Sequence, residues 1–170
     1  MPLRPVFSIA RRKIVVYNGE NNTERMIGMA DKLIMEVYVD FDGEIKTLKS
    51  PTAEVTMIPF VGTVKGELFN GVVCKGGVDT QRVNLSGVRW MSARYMLEGK
   101  DYTGAECRIF VENEGWFEEL VMPFKTVPTF ITDSAVLAPY LHQNKFRGEG
   151  HPREGGVLIK MFEVCPDAAE

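Results

Sequence analysis

The feature that most constrains this chain is a two-residue rhythm. In DKLIMEVYVDF, Asp31 to Phe41, the residues Met35, Val37, Val39 and Phe41 alternate with Glu36, Tyr38 and Asp40. Side chains of successive strand residues point to opposite faces, so this spacing writes a strand with one apolar and one polar face. The same kind of run, short and rich in valine, isoleucine, phenylalanine and tyrosine, returns along most of the chain. KIVVY (13–17), AEVTMIPF (53–60), GVRWMSARYMLE (87–98), AECRIFVENEG (105–115), EELVMPFKTV (118–127) and GVLIKMFEV (156–164) all fit it. Glycine and asparagine clusters separate the runs at the intervals of an antiparallel sheet. Asp42-Gly43 is a pair that tolerates positive φ, and it predicts a hairpin returning through Glu44 to Leu48. Pro59 has no N–H for the ladder, which places its strand at an edge or a bulge.

One segment breaks the rhythm. In TDSAVLAPYLHQNKF, Thr132 or Asp133 can cap a helix and Pro139 suits a first turn, so one short helix is expected near 133–144. A single helix among so many strands excludes a βαβ architecture. The expectation is an all-β domain over 1–170: an antiparallel barrel of about eight to ten strands, with residues 1–30 as an N-terminal strand and loop. A chain of 170 residues is long enough to bury a core without disulfide or metal.

GELFNGVVCKGGVDTQ (66–81) poses the sharpest local question, because its glycines could cradle a phosphate. A dinucleotide loop needs a helix after the glycines to receive the pyrophosphate, and here strands lie on both sides. No GxxxxGK[ST] occurs either. Gly66, Gly71, Gly76 and Gly77 therefore read as corners and close backbone approaches of a small barrel.

Charge and cysteine content remove further classes. Twenty basic residues, spread along the chain, stand against 23 acidic ones, with no basic stripe for nucleic acid. No run approaches the roughly 18 apolar residues of a membrane helix. The N-terminus lacks the uninterrupted apolar core of a signal peptide, so a cytoplasmic protein is expected. Cys74, Cys107 and Cys165 are widely spaced without a CxxC, which points to no metal and no disulfide framework.

The chemistry-bearing residues converge on Asp79, just past the Gly76-Gly77 corner. On WMSARYML, Trp90, Ser92, Arg94 and Met96 share one face, and Met91, Ala93, Tyr95 and Leu97 the other. If the first set faces inward, Arg94 is buried and requires a carboxylate, with Asp79 the natural partner and Glu36 and Glu112 behind it. If it faces outward, the pair is a solvated one of little energy. Alternation alone leaves both open.

These segments, with ARYMLEGKDYTGAECRIFVENEG, PTFITDSAVLAPYLHQNKFRGEG and the terminal MFEV, resemble in order the landmarks of the domain-of-unknown-function 3237 family. The resemblance covers about Val61 to Val164. It rests on the Gly76-Gly77-Val78-Asp79 corner, the Arg94-Tyr95 strand and the acidic-glycine-alanine turn. That turn is two residues longer here, Asp101 to Ala105, and Leu141-His142-Gln143-Asn144 departs from the family's commoner tryptophan-leucine-asparagine. The resemblance implies a barrel similar to that of allene oxide cyclase and self-association into a homodimer or higher oligomer.

Two functions follow as expectations. The first is a cofactor-free isomerase, cyclase or lyase that binds a small apolar carbonyl or aromatic compound inside the barrel. Asp79 or Glu112 would be the general base and Arg94 the holder of a developing oxyanion, with Glu36, Tyr38, Trp90, Tyr95 and His142 lining the site. The second is a barrel that binds or carries a ligand without chemistry, or serves only as an oligomer subunit. Its methionines, Met26, Met29, Met35, Met57, Met91, Met96 and Met122, would suit an adaptable lining.

Overall fold

The structure is a computed structural model that describes residues 30–165. The strand expected at 13–17 and the methionines at 26 and 29 lie outside the described residues. The compact unit runs from Lys32 to Val164.

Among the described residues, nine strands and one short helix follow in the order β1 (Lys32–Phe41), β2 (Lys46–Lys49), β3 (Ala53–Lys65), β4 (Phe69–Asn84), β5 (Arg89–Asp101), β6 (Glu106–Phe117), β7 (Phe124–Thr132), α1 (Ala138–Leu141), β8 (Phe146–Arg153) and β9 (Gly156–Glu163). Each of β3 to β8 pairs antiparallel with its successor. β1 pairs with β9 on one edge and β3 on the other, which closes eight strands into a barrel and leaves β2 as an addition on β3. Closure removes the open edges that an antiparallel sheet must otherwise protect.

That closure corrects the hairpin expected at Asp42-Gly43. Val39 already pairs with Gly62 and with Val157, so both edges of β1 are occupied and no place remains for a returning strand. The chain turns at Gly43, φ +109°, and β2 pairs with β3 instead. Pro59 lies where β3 passes from β2 to β1 as its neighbour, beside the register shift between Phe60 and Gly62. Its carbonyl accepts the Asp42 N–H at 3.0 Å.

The helix is shorter than expected and has no side-chain cap. Thr132 and Asp133 do not cap it: the Thr132 hydroxyl donates to the Arg108 carbonyl, and the Asp133 carboxylate accepts the Arg108 N–H. Strand β6 has therefore claimed both side chains. Ser134 Oγ accepts the Leu137 N–H, and Pro139 lies in the first turn.

The inner face follows the alternation of each strand. Met35, Val37 and Val39 of β1 are buried, as are Leu97 of β5, Ile109 and Val111 of β6, and Met161 of β9. Leu137 and Leu141 fill the same core from the helical segment, so one end of the barrel is packed solid with apolar side chains. Between the pairs Val73–Leu97 and Val78–Arg94, β4 uses two more residues than β5, a bulge that contains Gly76 at φ +100°. Two extra residues preserve the parity of the strand. Val73, Gly77, Asp79 and Gln81 thus stay on one face, and the carboxylate of Asp79 is carried inward.

Among the described residues no helix is long and apolar enough to cross a membrane.

Candidate active site

The end of the barrel away from α1 is hollow, with a cavity of about 500 Å³. The register explains why. Asp79 of β4 pairs with Ala93 of β5, Ala93 with Asn113 of β6, and Asn113 with Pro128 of β7, so these four form one inward-facing rung. The next rung toward the mouth holds Gln81, Met91 and Gly115, with Thr126 and its partner Gly148 beyond. A rung deeper, Tyr95 pairs with Val111 and Val111 with Phe130. Ala93, Gly115 and Gly148 project almost nothing into the interior. At Gly148 the space is fully used: a Cβ there would come within 2.2 Å of Thr126 Oγ1.

Into this hollow the sequence places polar side chains whose hydrogen-bonding capacity is not spent. Asp79 Oδ1, Tyr95 Oη, Asn113 Oδ1 and Thr126 Oγ1 are buried without a hydrogen-bond partner. All four belong to side chains that line the cavity. Buried polar atoms are nearly always paired, and each orphan costs stability. Four around one cavity mark a place where a ligand or water completes the structure.

Asp79 is also held by a relay. Arg89 Nη1 donates to Gln81 Oε1 at 2.7 Å, and Gln81 Nε2 donates to Asp79 Oδ2 at 2.7 Å. Arginine can only donate, so Gln81 must turn its carbonyl to Arg89 and its amide to Asp79. One carboxylate oxygen is thereby fixed, and the other is buried without a partner in a side chain that lines the cavity. Burial pushes the Asp79 carboxyl above its ordinary value, opposed by the Gln81 bond, by the nearby backbone N–H of Ser92 and, more weakly, by the charge of Arg89. A carboxyl drawn up from its ordinary value in a cleft is the common setting of a general acid or base. Burial likewise pushes the Tyr95 phenol far up, which keeps it neutral. Its ring stands edge-on to Phe60, with centroids 5.3 Å apart.

The structure divides the residues singled out from the sequence. Asp79 and Tyr95 line the cavity. Arg94 does not meet Asp79: its face of β5 is the outer one, and its Nε donates to Glu112 at 2.6 Å with 59% of the Arg94 side chain exposed. The reason is parity. Met91, Tyr95 and Leu97 are buried, so the other set must face solvent. Glu112 leaves the cavity with Arg94, and Trp90 lies outside against Trp116, their rings 5.9 Å apart. Glu36 and Tyr38 also face outward. Their side chains bond each other at 3.1 Å, and Lys65 lies over the Tyr38 ring. His142 follows α1 at the packed end, where its Nε2 accepts the Thr132 N–H. Of the glycines, Gly71 faces Gly99 across the β4–β5 pair so closely that a Cβ would lie 2.3 Å from the Glu98 carbonyl oxygen, and Gly66 stands comparably close to Ile34. Met91 and Met122 line the cavity, while Met57 and Met96 are exposed.

Gln81, Arg89, Asn113 and Thr126 did not stand out in the sequence. A signal for Asn113 existed: it continues the register of Ile109 and Val111, while Arg108, Glu112 and Glu114 occupy the opposite one. An uncharged polar residue in an apolar register is a buried polar residue. Arg89 is in register with Met91 and Tyr95 for the same reason. Among the described residues, no three His, Cys, Asp or Glu side chains come together as a metal site.

Comparison with known proteins gives the chain its relatives. It is 39% identical over 95 residues to a UPF0311 protein of Clostridium acetobutylicum, a match spanning 46% of this chain and 58% of that protein. The structure is similar to that of a protein of unknown function from the same organism, with a TM-score of 0.65 and 24% identity over 82% of this chain and 99% of the other. A β-barrel-like protein from Acinetobacter baumannii matches with a TM-score of 0.65 and 20% identity, covering 79% and 94%. An enzyme from Penicillium herquei matches with a TM-score of 0.56 and 17% identity, covering 84% and 98%. At these identities the solved structures establish the shared barrel. The model for proteins of unknown function DUF3237 matches residues 31–164, the whole of the closed barrel, and the chain belongs to that family.

Proposed function

We propose that the hollow end of the barrel binds a small, largely apolar carbonyl or aromatic compound, and that Asp79 moves a proton on it without a cofactor, as in an isomerase, cyclase or lyase. The observation that carries this reading is the set of four unpartnered buried polar atoms around one cavity, one of them the free oxygen of Asp79. A side-chain-filled structural barrel has no use for them, and each lowers its stability. The geometry also gives the base a defined direction. Oδ2 is fixed by Gln81, so Oδ1 is the oxygen that takes or gives the proton. Tyr95, neutral and buried two residues along β5 from Ala93, is the donor that would stabilise negative charge developing on a substrate oxygen. Arg94, outside the barrel, has no part in this chemistry.

The test is a comparison of wild type with Asp79→Asn in a small-molecule extract, followed by mass spectrometry. Wild type should deplete one compound and produce an isomer of it, or a product differing by one water. Asp79→Asn should leave that compound unconverted yet retain it through gel filtration. Equal conversion by both proteins removes Asp79 from the chemistry. Retention by both with conversion by neither leaves a carrier in place of an enzyme.

A further inference from the structure

The walls of the cavity are unlike each other. On the side of β1, β3 and β9 it is lined by Val39, Ile58, Phe60, Val157 and Ile159, which have no polar side-chain atom. On the side of β4 to β7 the polar side chains of Asp79, Gln81, Arg89, Tyr95, Asn113 and Thr126 are interspersed with the apolar ones of Met91, Ala93, Phe117 and Phe124. The strand order makes this segregation continuous, because β4, β5, β6 and β7 are successive neighbours and β9, β1 and β3 complete the circle from β8. A ligand that fills the cavity therefore meets a wholly apolar wall along one side and, along the other, a mixed wall that carries the polar groups.

The polar wall has a definite hydrogen-bond inventory. Asp79 Oδ1 and Asn113 Oδ1 accept, the Asn113 amide nitrogen donates, and the Tyr95 and Thr126 hydroxyls can both donate and accept. Asp79 and Asn113 share a rung with only the Ala93 methyl between them. Two strand spacings, roughly 10 Å, separate their backbones. Separate groups on the ligand thus serve the two acceptors. The cation of the wall, Arg89, has already given its Nη1 to Gln81.

We infer that the ligand is a neutral, ring-sized compound that carries at least two hydroxyl groups along one edge, and that the cavity discriminates against carboxylic acids. This deepens the reading above and rests on it. A hydroxyl donates to Asp79 and Asn113 and accepts from Tyr95 or Thr126, so it matches every member of the inventory. A carboxylate offers acceptors alone. It can accept from the Tyr95 and Thr126 hydroxyls and the Asn113 amide nitrogen, but it leaves Asp79 Oδ1 without a donor and sets one acidic group against another. A fully etherified ligand fails differently, since it has no donor for Asp79 or Asn113.

The experiment uses the intact protein and three probes of one shape: a meta-dihydroxynaphthalene, its dimethyl ether and naphthoate. Affinity is read by calorimetry and the site by amide shifts in NMR spectra. The diol should bind at least about tenfold more tightly than either of the others, the discrimination expected when a buried polar group is left unpaired. Its shifts should fall on β4 to β7. Asn113→Leu should weaken the diol by about tenfold and leave the ether unchanged, and Thr126→Val provides the same comparison should the leucine variant fail to fold. Naphthoate or the ether binding as tightly as the diol overturns the assignment of ligand class while the cavity remains a binding site. No binding by any probe overturns the binding reading itself, and this inference with it.

Discussion

Replacing Tyr95 by phenylalanine should make this protein more stable. The substitution removes a single hydroxyl from a side chain only 4% exposed, and that oxygen has no hydrogen-bond partner. The ring stays, with its edge contact to Phe60 at 5.3 Å, so no cavity is added beyond the volume of the lost oxygen. Leaving a buried hydroxyl unsatisfied costs about 1–3 kcal/mol, and its removal should return a stabilisation of that order. For a chain of this size each kcal/mol moves the melting midpoint by about 2–4 °C, so a rise of several degrees is expected. Urea unfolding should show the midpoint displaced upward with an unchanged slope, the mark of a change in stability rather than in the denatured ensemble. The gain should also be flat across neutral pH, because burial keeps the phenol protonated there. A midpoint that falls or does not move would mean that the hydroxyl already has a partner in the free protein and does not await a ligand. A rise is the behaviour of a site that holds function at the expense of stability.

Asp79→Asn tests the electrostatics of the same wall. Its folded carboxyl titrates above the unfolded one, so the folded state binds more protons between the two values and stability falls as pH rises through that window. The asparagine variant should therefore be at least as stable as wild type at neutral pH and lose that advantage near pH 4 in thermal melts; a variant less stable at neutral pH would show the charge to be well paired. Arg94→Ala should cost about 1 kcal/mol or less in the same melts and leave probe affinity unaltered, as expected of an exposed pair with Glu112. Loss of probe binding in that variant would return Arg94 to the site. Gly71→Ala should be destabilising by about 1–3 kcal/mol or more, since its Cβ would meet backbone atoms of β5 that cannot turn aside; a midpoint within a degree of wild type would show that the two strands can part there.

What the sequence discloses and what it withholds divide along a physical line. Strand residues announce themselves by period two, and the short runs from Asp31 onward make an antiparallel barrel legible from the residue pattern alone. The turn at Asp42-Gly43 is legible too, but its partner strand is not. Whether a strand returns along its predecessor depends on whether that edge is free, and here β9 and β3 take both edges of β1. The site fails in a similar place. Alternation sorts residues into two faces without saying which is inner, and on β5 both faces carry credible candidates: arginine and tryptophan on one, methionine and tyrosine on the other. The neighbouring strand could have decided it. Arg94 pairs with Glu112, and Glu112 shares a face with Arg108 and Glu114, a run of charge that only an outer face accommodates. Asp79 does lie next to the corner, as its place in the sequence suggests, but the partner expected for it stands on the wrong face.

The small residues account for why a barrel of eight strands is hollow at one end and solid at the other. Eight strands enclose an interior that ordinary side chains just fill. Below the Tyr95 rung they do: Leu97, Ile109 and Met161 meet Leu137 and Leu141. Above it, Ala93 on β5, Gly115 on β6 and Gly148 on β8 withdraw the bulk from three of the four strands β5 to β8. The polar residues lie in the same rungs as these, which is where polarity can be tolerated, since in the solid half an unpartnered amide would have neither water nor ligand to reach. The hollow and the unspent hydrogen bonds are thus two expressions of one choice of side-chain size. Filling the hollow should undo both. Ala93→Leu, projecting between Asp79 and Asn113, should abolish probe binding in calorimetry while the barrel's melting temperature holds or rises, because the new side chain has about 500 Å³ of open space to occupy. A collapse of the fold would show instead that the cavity is smaller in solution than its walls define, and preserved binding would place the ligand elsewhere.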